Sequence, residues 1–138
     1  MNVVDSSAWL EYFGDGPNAG EFAEAIADTE RLIVPAVTLF EVFKSIRLQR
    51  DLDAALYAVA HMQSGRVVDL DAHLAVAAAE LSAESGLPMA DSVILATARR
   101  EDAVLWTQDA NFAGMDGVEY RTANVRGRRH RKRASFGE

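Results

Sequence analysis

The sequence contains no cysteine. That absence excludes a disulfide scaffold, thiolate zinc sites and cysteine nucleophiles, and it agrees with a reducing cytoplasm. A long apolar run is also missing. The amino terminus, MNVVDSSAWLEYF, carries no basic segment ahead of a hydrophobic one, so neither a signal peptide nor a membrane span is expected. Histidine occurs only three times: His61 and His73 fall on predicted helices away from strand ends, and His130 lies near the C-terminus. They offer no pair for general acid–base chemistry. There is no internal repeat.

What is present is enough for one compact domain. The chain has 138 residues, 49% hydrophobic and 25% charged, which suffices for one core and falls short of two ordinary domains. Its net charge of −7 is unevenly spread. Residues 1–125 hold 8 Lys/Arg against 20 Asp/Glu, a balance of −12, whereas 126–138 hold 6 Lys/Arg against one Glu, a balance of +5. An acidic body suits divalent cations or a basic partner rather than nucleic acid by bulk charge. The tail, RGRRHRKR, points the other way and is expected to be disordered.

Short apolar runs alternate with helical patterns along residues 1–125. Strands are predicted at 2–4 (NVV), 32–34 (LIV, closed by Pro35), 66–69 and 103–107, with a short fifth at 118–120. Helices are predicted after Asp5, over 19–29, 37–49, 51–63 and 71–85, the last closed by Gly86, and again from Asp91. Continuously apolar strands covered by helices on both faces imply an α/β chain: a three-layer α/β/α sandwich around a short parallel sheet of four or five strands, Rossmann-like in kind. In such sheets ligands bind beyond the carboxyl ends of the strands.

That rule selects four acidic residues. Asp5 follows the first strand and Asp109 the fourth, Glu41 lies in the first turns of the helix after the second strand, and Asp91 starts the helix leading into the fourth. Each has a plainer reading. Asp5 and Asp91 suit helix caps, Asp109 suits a turn, and Glu41 suits solvent or an i+3 pair with Lys44. Gathered at one rim, however, four carboxylates cannot all remain ionised without cations, and hard oxygen donors select Mg²⁺ or Mn²⁺.

The strings around these residues are VVDSSAWLEYF, PAVTLFEVFKSI, LPMADSVILATA and LWTQDANF. Their order and spacing resemble the acidic signature of PIN domains over roughly residues 1–122, and within that superfamily they look like VapC toxins of toxin–antitoxin pairs. The resemblance implies a PIN-like nuclease domain over 1–125 with Asp5, Glu41, Asp91 and Asp109 as its catalytic, metal-binding cluster. It implies a Mg²⁺- or Mn²⁺-dependent endoribonuclease that hydrolyses RNA in line, leaving a 5′-phosphate and a 3′-hydroxyl. Thr107 matches the family's hydroxyl before the last Asp and is expected to orient a carboxylate; a plain strand threonine is its other reading. Ser6 and Ser7 are candidates for contact with a ligand or phosphate, or for helix capping. Asn111 reads as a turn residue. Lys44, Arg47, Arg50, Arg99 and Arg100 are candidates to hold the RNA backbone, each otherwise a solvated charge.

The resemblance further implies a cognate VapB-type antitoxin, a homodimer and a toxin–antitoxin hetero-oligomer, cytoplasmic and without a membrane. Trp9, Tyr12, Phe13, Phe40 and Phe43 could serve such interfaces, with core as their default. The alternative is a catalytically silent PIN-like module that binds RNA or protein, against which all four carboxylates count. An aspartyl-phosphate hydrolase would need a second Asp where Ser7 stands, and a lysine near the last acidic motif, which is missing.

Overall fold

The protein is described over residues 1–123 by a computed structural model. The basic tail at 126–138, with its expected disorder, lies outside the described residues, as does His130. Among the described residues five strands occur, in the order β1 (Asn2–Val4), β2 (Leu32–Pro35), β3 (Arg66–Val68), β4 (Val104–Thr107) and β5 (Val118–Tyr120). Six helices connect them: α1 (Ser6–Phe13), α2 (Ala19–Ala27), α3 (Ala36–Gln49), α4 (Leu52–Met62), α5 (Ala72–Ser85) and α6 (Met89–Arg100). The sheet runs β3-β2-β1-β4-β5 with every neighbouring pair parallel. The α/β/α sandwich expected from the pattern is therefore the observed architecture, with β1 at its centre.

The two-residue period of the strands divides the core. Val4, Leu32 and Val34 point to one layer, where Trp9, Phe22, Ile26, Val42, Ile46 and Met62 of α1–α4 pack. Val3, Ile33 and Leu105 point to the other, where α5 and α6 bring Leu74, Ala78, Ile94, Leu95 and Ala98. Helix α6 is buried on every side from Ser92 through Ala98. Its two buried hydroxyls are satisfied within the helix, Thr97 Oγ1 donating to the Val93 carbonyl at 2.7 Å and Ser92 Oγ to that of Pro88 at 2.9 Å.

Local chemistry sets the element ends. Asp51 and Asp71 cap α4 and α5 by accepting from the N–H groups of Ala54 and Leu74 at 2.7 and 2.8 Å. Gly86 ends α5 in the left-handed region at φ 78°. Two boundaries differ from expectation. Helix α2 stops at Ala27, and a single 3₁₀ turn, Thr29–Arg31, leads into β2. Helix α6 opens at Met89 behind Pro88, so Asp91 is its third residue and not its cap. Phe40 also departs from its core default: it is 64% exposed, with Lys44 Nζ 5.9 Å from its ring centre in place of a Lys44–Glu41 pair. Trp9 is fully buried, while Tyr12, Phe13 and Phe43 pack partly buried against the same layer. Among the described residues no helix is long and apolar enough to cross a membrane.

The turn from α4 into β3 tests this packing. A Cβ on Gly65 would stand 2.8 Å from the Leu32 carbonyl oxygen, whereas one on Gly20 would meet nothing within 4 Å. Gly65→Ala should therefore cost about 1–3 kcal/mol by overpacking. Gly20→Ala, in the first turn of α2, should be neutral or stabilising by up to about 1 kcal/mol. Urea denaturation of the two variants checks the order; equal midpoints would contradict it.

Candidate active site

An all-parallel sheet brings all five strand ends to one rim. Because the chain moves outward from β1 to β2 on one side and to β4 on the other, the crevice beyond β1 and β4 is the switch point where such sheets bind ligands. Asp5 and Asp109 follow those two strands.

Asp5 continues the ladder by one bond, its N–H donating to the Trp106 carbonyl at 2.9 Å. Its carboxylate is buried, 2% exposed, and begins α1 as the N-cap. Oδ2 accepts from Ser7 Oγ at 2.6 Å and from Thr107 Oγ1 at 2.8 Å. Each hydroxyl accepts a backbone N–H in turn, Thr107 from Asp109 at 2.9 Å and Ser7 from Gln108 at 3.2 Å. The hydroxyl protons are thus committed to Asp5. Ser6 Oγ donates to Glu41 Oε1 at 2.6 Å, so the first turn of α1 holds one carboxylate from its own strand end and one from α3. Neither serine caps the helix; each donates its hydroxyl proton to a carboxylate.

Asp91, half-buried in the first turn of α6, accepts from Asn111 Nδ2 at 3.1 Å. Asp109 caps the 3₁₀ turn Ala110–Phe112, its Oδ1 accepting from the Asn111 N–H at 2.9 Å. Asn111 therefore touches both carboxylates, a role its reading as a turn residue missed; nothing in an Asp-Ala-Asn string signals a contact 20 residues away.

The four acidic groups feel one another. Burial is the main reason that Asp5 is pushed up from 3.8 to about 6, with Asp91 and Asp109 adding repulsion and the two hydroxyls opposing it. Asp91 is also raised, again chiefly by burial, with Asp109 and Glu41 contributing and Asn111 opposing. Asp109 lies within hydrogen-bonding reach of Asp91.

A pattern runs through the quartet. One oxygen of each carboxylate is held by a protein donor: Asp5 Oδ2, Glu41 Oε1, Asp91 Oδ2 and Asp109 Oδ1. No donor among the described residues reaches the second oxygen of any of them. Carboxylates oriented on one side and open on the other, with Asp5 and Asp91 raised chiefly by burial, fit a hard divalent cation. The set is not preclosed: among the described residues no group of three or more acidic or histidine side chains is already disposed to hold an ion.

Two of the basic candidates are carried away from this rim. Helix α6 starts at the rim and runs away from it, so Arg99 and Arg100 stand about 12 Å along its axis from Asp91. Arg100 is occupied with Asp71 at 3.5 Å and Glu101 at 3.6 Å. Lys44, Arg47 and Arg50 are exposed and recede along α3 beyond Glu41, with Arg50 at its C-cap. The arginine that does stand at the strand ends is Arg121, whose N–H donates to the Thr107 carbonyl at 2.9 Å. It pairs with Glu21 at 2.8 Å and Glu119 at 3.2 Å, 5.4 Å from the Trp106 ring centre. His61 packs among Trp9, Tyr12, Phe13 and Tyr57, and His73 is exposed beside Asp71.

Known proteins share this architecture. The PIN domain family model matches residues 3–118. A toxin–antitoxin complex from Klebsiella pneumoniae aligns with a TM-score of 0.75 at 21% identity, covering 90% of this chain and 100% of that one. VapC20 of Mycobacterium tuberculosis, described as a sarcin–ricin loop cleaving toxin, aligns with a TM-score of 0.73 at 20% identity over 88% and 100%. PAE2754 of Pyrobaculum aerophilum aligns with a TM-score of 0.63 at 26% identity over 86% and 81%. Comparison with curated proteins gave no match.

The raised Asp5 fixes the sign of a pH effect. Folding disfavours its ionised form, so the penalty is absent below its ordinary value of 3.8, grows as pH rises and is complete above about 6. At about 1.4 kcal/mol per pH unit the penalty reaches roughly 3 kcal/mol. In chelator, Asp5→Asn keeps an acceptor for Ser7 and Thr107 and removes the charge. It should match the wild type near pH 4 and exceed it by about 1–3 kcal/mol at pH 7.5 in urea unfolding. A variant less stable at both pH values would contradict the burial penalty.

Proposed function

The chain belongs to the PIN-domain family, and from that premise we propose that it is a Mg²⁺- or Mn²⁺-dependent endoribonuclease, the VapC-type toxin of a cytoplasmic toxin–antitoxin pair. The observation that carries this reading is the quartet at the switch point: four carboxylates, each gripped on one oxygen and open on the other.

In this reading Asp5, Glu41, Asp91 and Asp109 hold the divalent ion. Once bound it would supply Lewis acidity, easing deprotonation of water and neutralising phosphate charge. The chain's own residues do the rest. Ser7 and Thr107 hold Asp5 to one rotamer, Ser6 does so for Glu41, and Asn111 ties Asp91 to the turn bearing Asp109. These bonds fix the open oxygens before substrate arrives, which is the preorganisation that catalysis needs. The reaction is in-line hydrolysis. Water oxygen forms a bond to phosphorus, the bond to the 3′ oxygen breaks, and that oxygen takes up a proton, leaving a 5′-phosphate and a 3′-hydroxyl. The described activity of VapC20 supports RNA as substrate.

For the partner, the Klebsiella toxin–antitoxin complex supports an antitoxin, which in the VapC reading is of VapB type. An exposed apolar groove of about 560 Å³ between α3 and α4 is lined by Leu39, Phe40, Phe43, Leu48 and Val59, with Lys44 and Arg47 at its edge. Tyr57 and Leu48 are 68% and 72% exposed on the same helices. Apolar area of this kind marks a protein-binding surface. A helix with an apolar stripe and flanking acidic residues matches its chemistry, in an assembly that also pairs two copies of the toxin.

Purified full-length protein should cut RNA with Mg²⁺ or Mn²⁺ and stop cutting in chelator. Asp5→Asn and Glu41→Gln should reduce cleavage to background while keeping the wild-type circular dichroism spectrum. Thr107→Val, which loosens Asp5 and frees the Asp109 N–H without removing a carboxylate, should lose about 10–100-fold. Expression without the antitoxin should arrest growth for the wild type alone. Cleavage by Asp5→Asn at the wild-type rate would remove this assignment of the site, and absence of Mg²⁺- or Mn²⁺-dependent cleavage by the wild type would leave the silent binding module in its place.

A further inference from the structure

Glu11 stands one helical turn beyond Ser7 on α1, on the same face. It is a carboxylate only 8% exposed, and a charge so placed needs polar partners. Its Oε2 accepts the Asn18 backbone N–H at 2.8 Å, and its Oε1 lies 3.4 Å from Gln108 Nε2. Gly16 backs onto the carboxylate so closely that a Cβ there would collide with it.

Asn18 adds an anomaly. It occupies the N-cap of α2, a position where asparagine ordinarily bonds its own helix, yet it makes no side-chain capping bond. Its Nδ2 donates instead to Gln108 Oε1 at 3.0 Å and to the Thr122 carbonyl at 3.0 Å. The Gln108 amide is therefore held at both ends, its nitrogen by Glu11 and its oxygen by Asn18. Its backbone N–H is held a third way, by Ser7 Oγ. Gln108 is 7% exposed and lies between Thr107 and Asp109, so fixing it fixes the stretch of backbone on which both stand.

That stretch bears an electrostatic load, because Asp109 faces the like charges of Asp91 and Asp5. We propose that Glu11, Asn18 and Gln108 are positioning residues that clamp the exit of β4 and hold the Asp109 carboxylate at the rim against that repulsion. Glu11 is thus an acidic residue that serves the site from behind and is not one of its ligands. The consequence for ion uptake rests on the reading of the rim as a metal site; the clamp itself does not.

The test uses the full chain and two readouts. In metal-free protein, backbone amide exchange at positions 108 and 109 reports the clamp; calorimetry with Mn²⁺ alone reports the rim. Glu11→Gln presents an amide where two donors need acceptors. Exchange at 108 and 109 should quicken and Mn²⁺ affinity should fall, each by about 10-fold, without a matching rise in exchange across the core. The swap Glu11→Gln with Gln108→Glu gives the Asn18 N–H, the Asn18 Nδ2 and the amide introduced at position 11 each an acceptor again at unchanged net charge. It should bring both readouts back to within about 3-fold of wild type. Wild-type exchange at 108 and 109 in the single variant, or a swap that restores nothing, overturns the clamp. Quickened exchange with unchanged Mn²⁺ affinity overturns its service to the rim. If the wild type takes up no Mn²⁺, the metal reading falls, and amide exchange alone still decides the clamp.

Discussion

Burying the charge of Asp5 is the constraint around which the rim is organised. The residue follows the central strand directly, so its backbone is committed to the β1–β4 ladder and to the first turn of α1. Its side chain has nowhere to go but into the crevice, where Asp91 and Asp109 already raise the cost of ionisation. The surroundings answer with short hydroxyl bonds from Ser7 and Thr107. Those same hydroxyls accept the N–H groups of Gln108 and Asp109, so the support of one carboxylate shapes the backbone that carries another. Stability is given up at this point in return for a group whose open oxygen is kept in place, a trade typical of functional sites.

The fold was readable because its signals are local. Val3-Val4 and Leu32-Ile33-Val34 are short, apolar and followed by helix starts, and their alternation between two layers needs only the two-residue period of a strand. Glycine and proline placed most breaks, and Gly86 ends its helix in the left-handed conformation expected of it. Errors came where one pattern admits two meanings. The Asp91 string looks like a cap, but Pro88 already supplies the fixed backbone angle with which a helix can begin. Phe40 looks like core because its neighbours are apolar, yet α3 turns that position outward.

The site was readable in part. Sequence order and strand ends point Asp5, Glu41, Asp91 and Asp109 to one rim, and the hydroxyl of Thr107 donates to a carboxylate, that of Asp5, as the resemblance implies. The contacts of Asn111, Glu11 and Asn18 were not legible, since each depends on a partner from a distant segment and on the direction of one side chain. Asn18 is the sharpest case: local rules assign it to capping, and tertiary structure takes it elsewhere. The reverse holds for the basic candidates, where arginine content points to a grip on RNA and the direction of α6 carries Arg99 and Arg100 to its end away from the rim.

The paired serines at the start of α1 have a consequence for how this chain can change over time. Ser6 and Ser7 reach carboxylates from different parts of the fold through adjacent positions of one helical turn. Inserting or deleting a single residue between β1 and α1 would rotate that turn by about 100° and break both grips together. Length variation among descendants should therefore accumulate in segments such as the exposed stretch between β3 and α5. The Asp-Ser-Ser junction should keep its length even where its flanking residues drift.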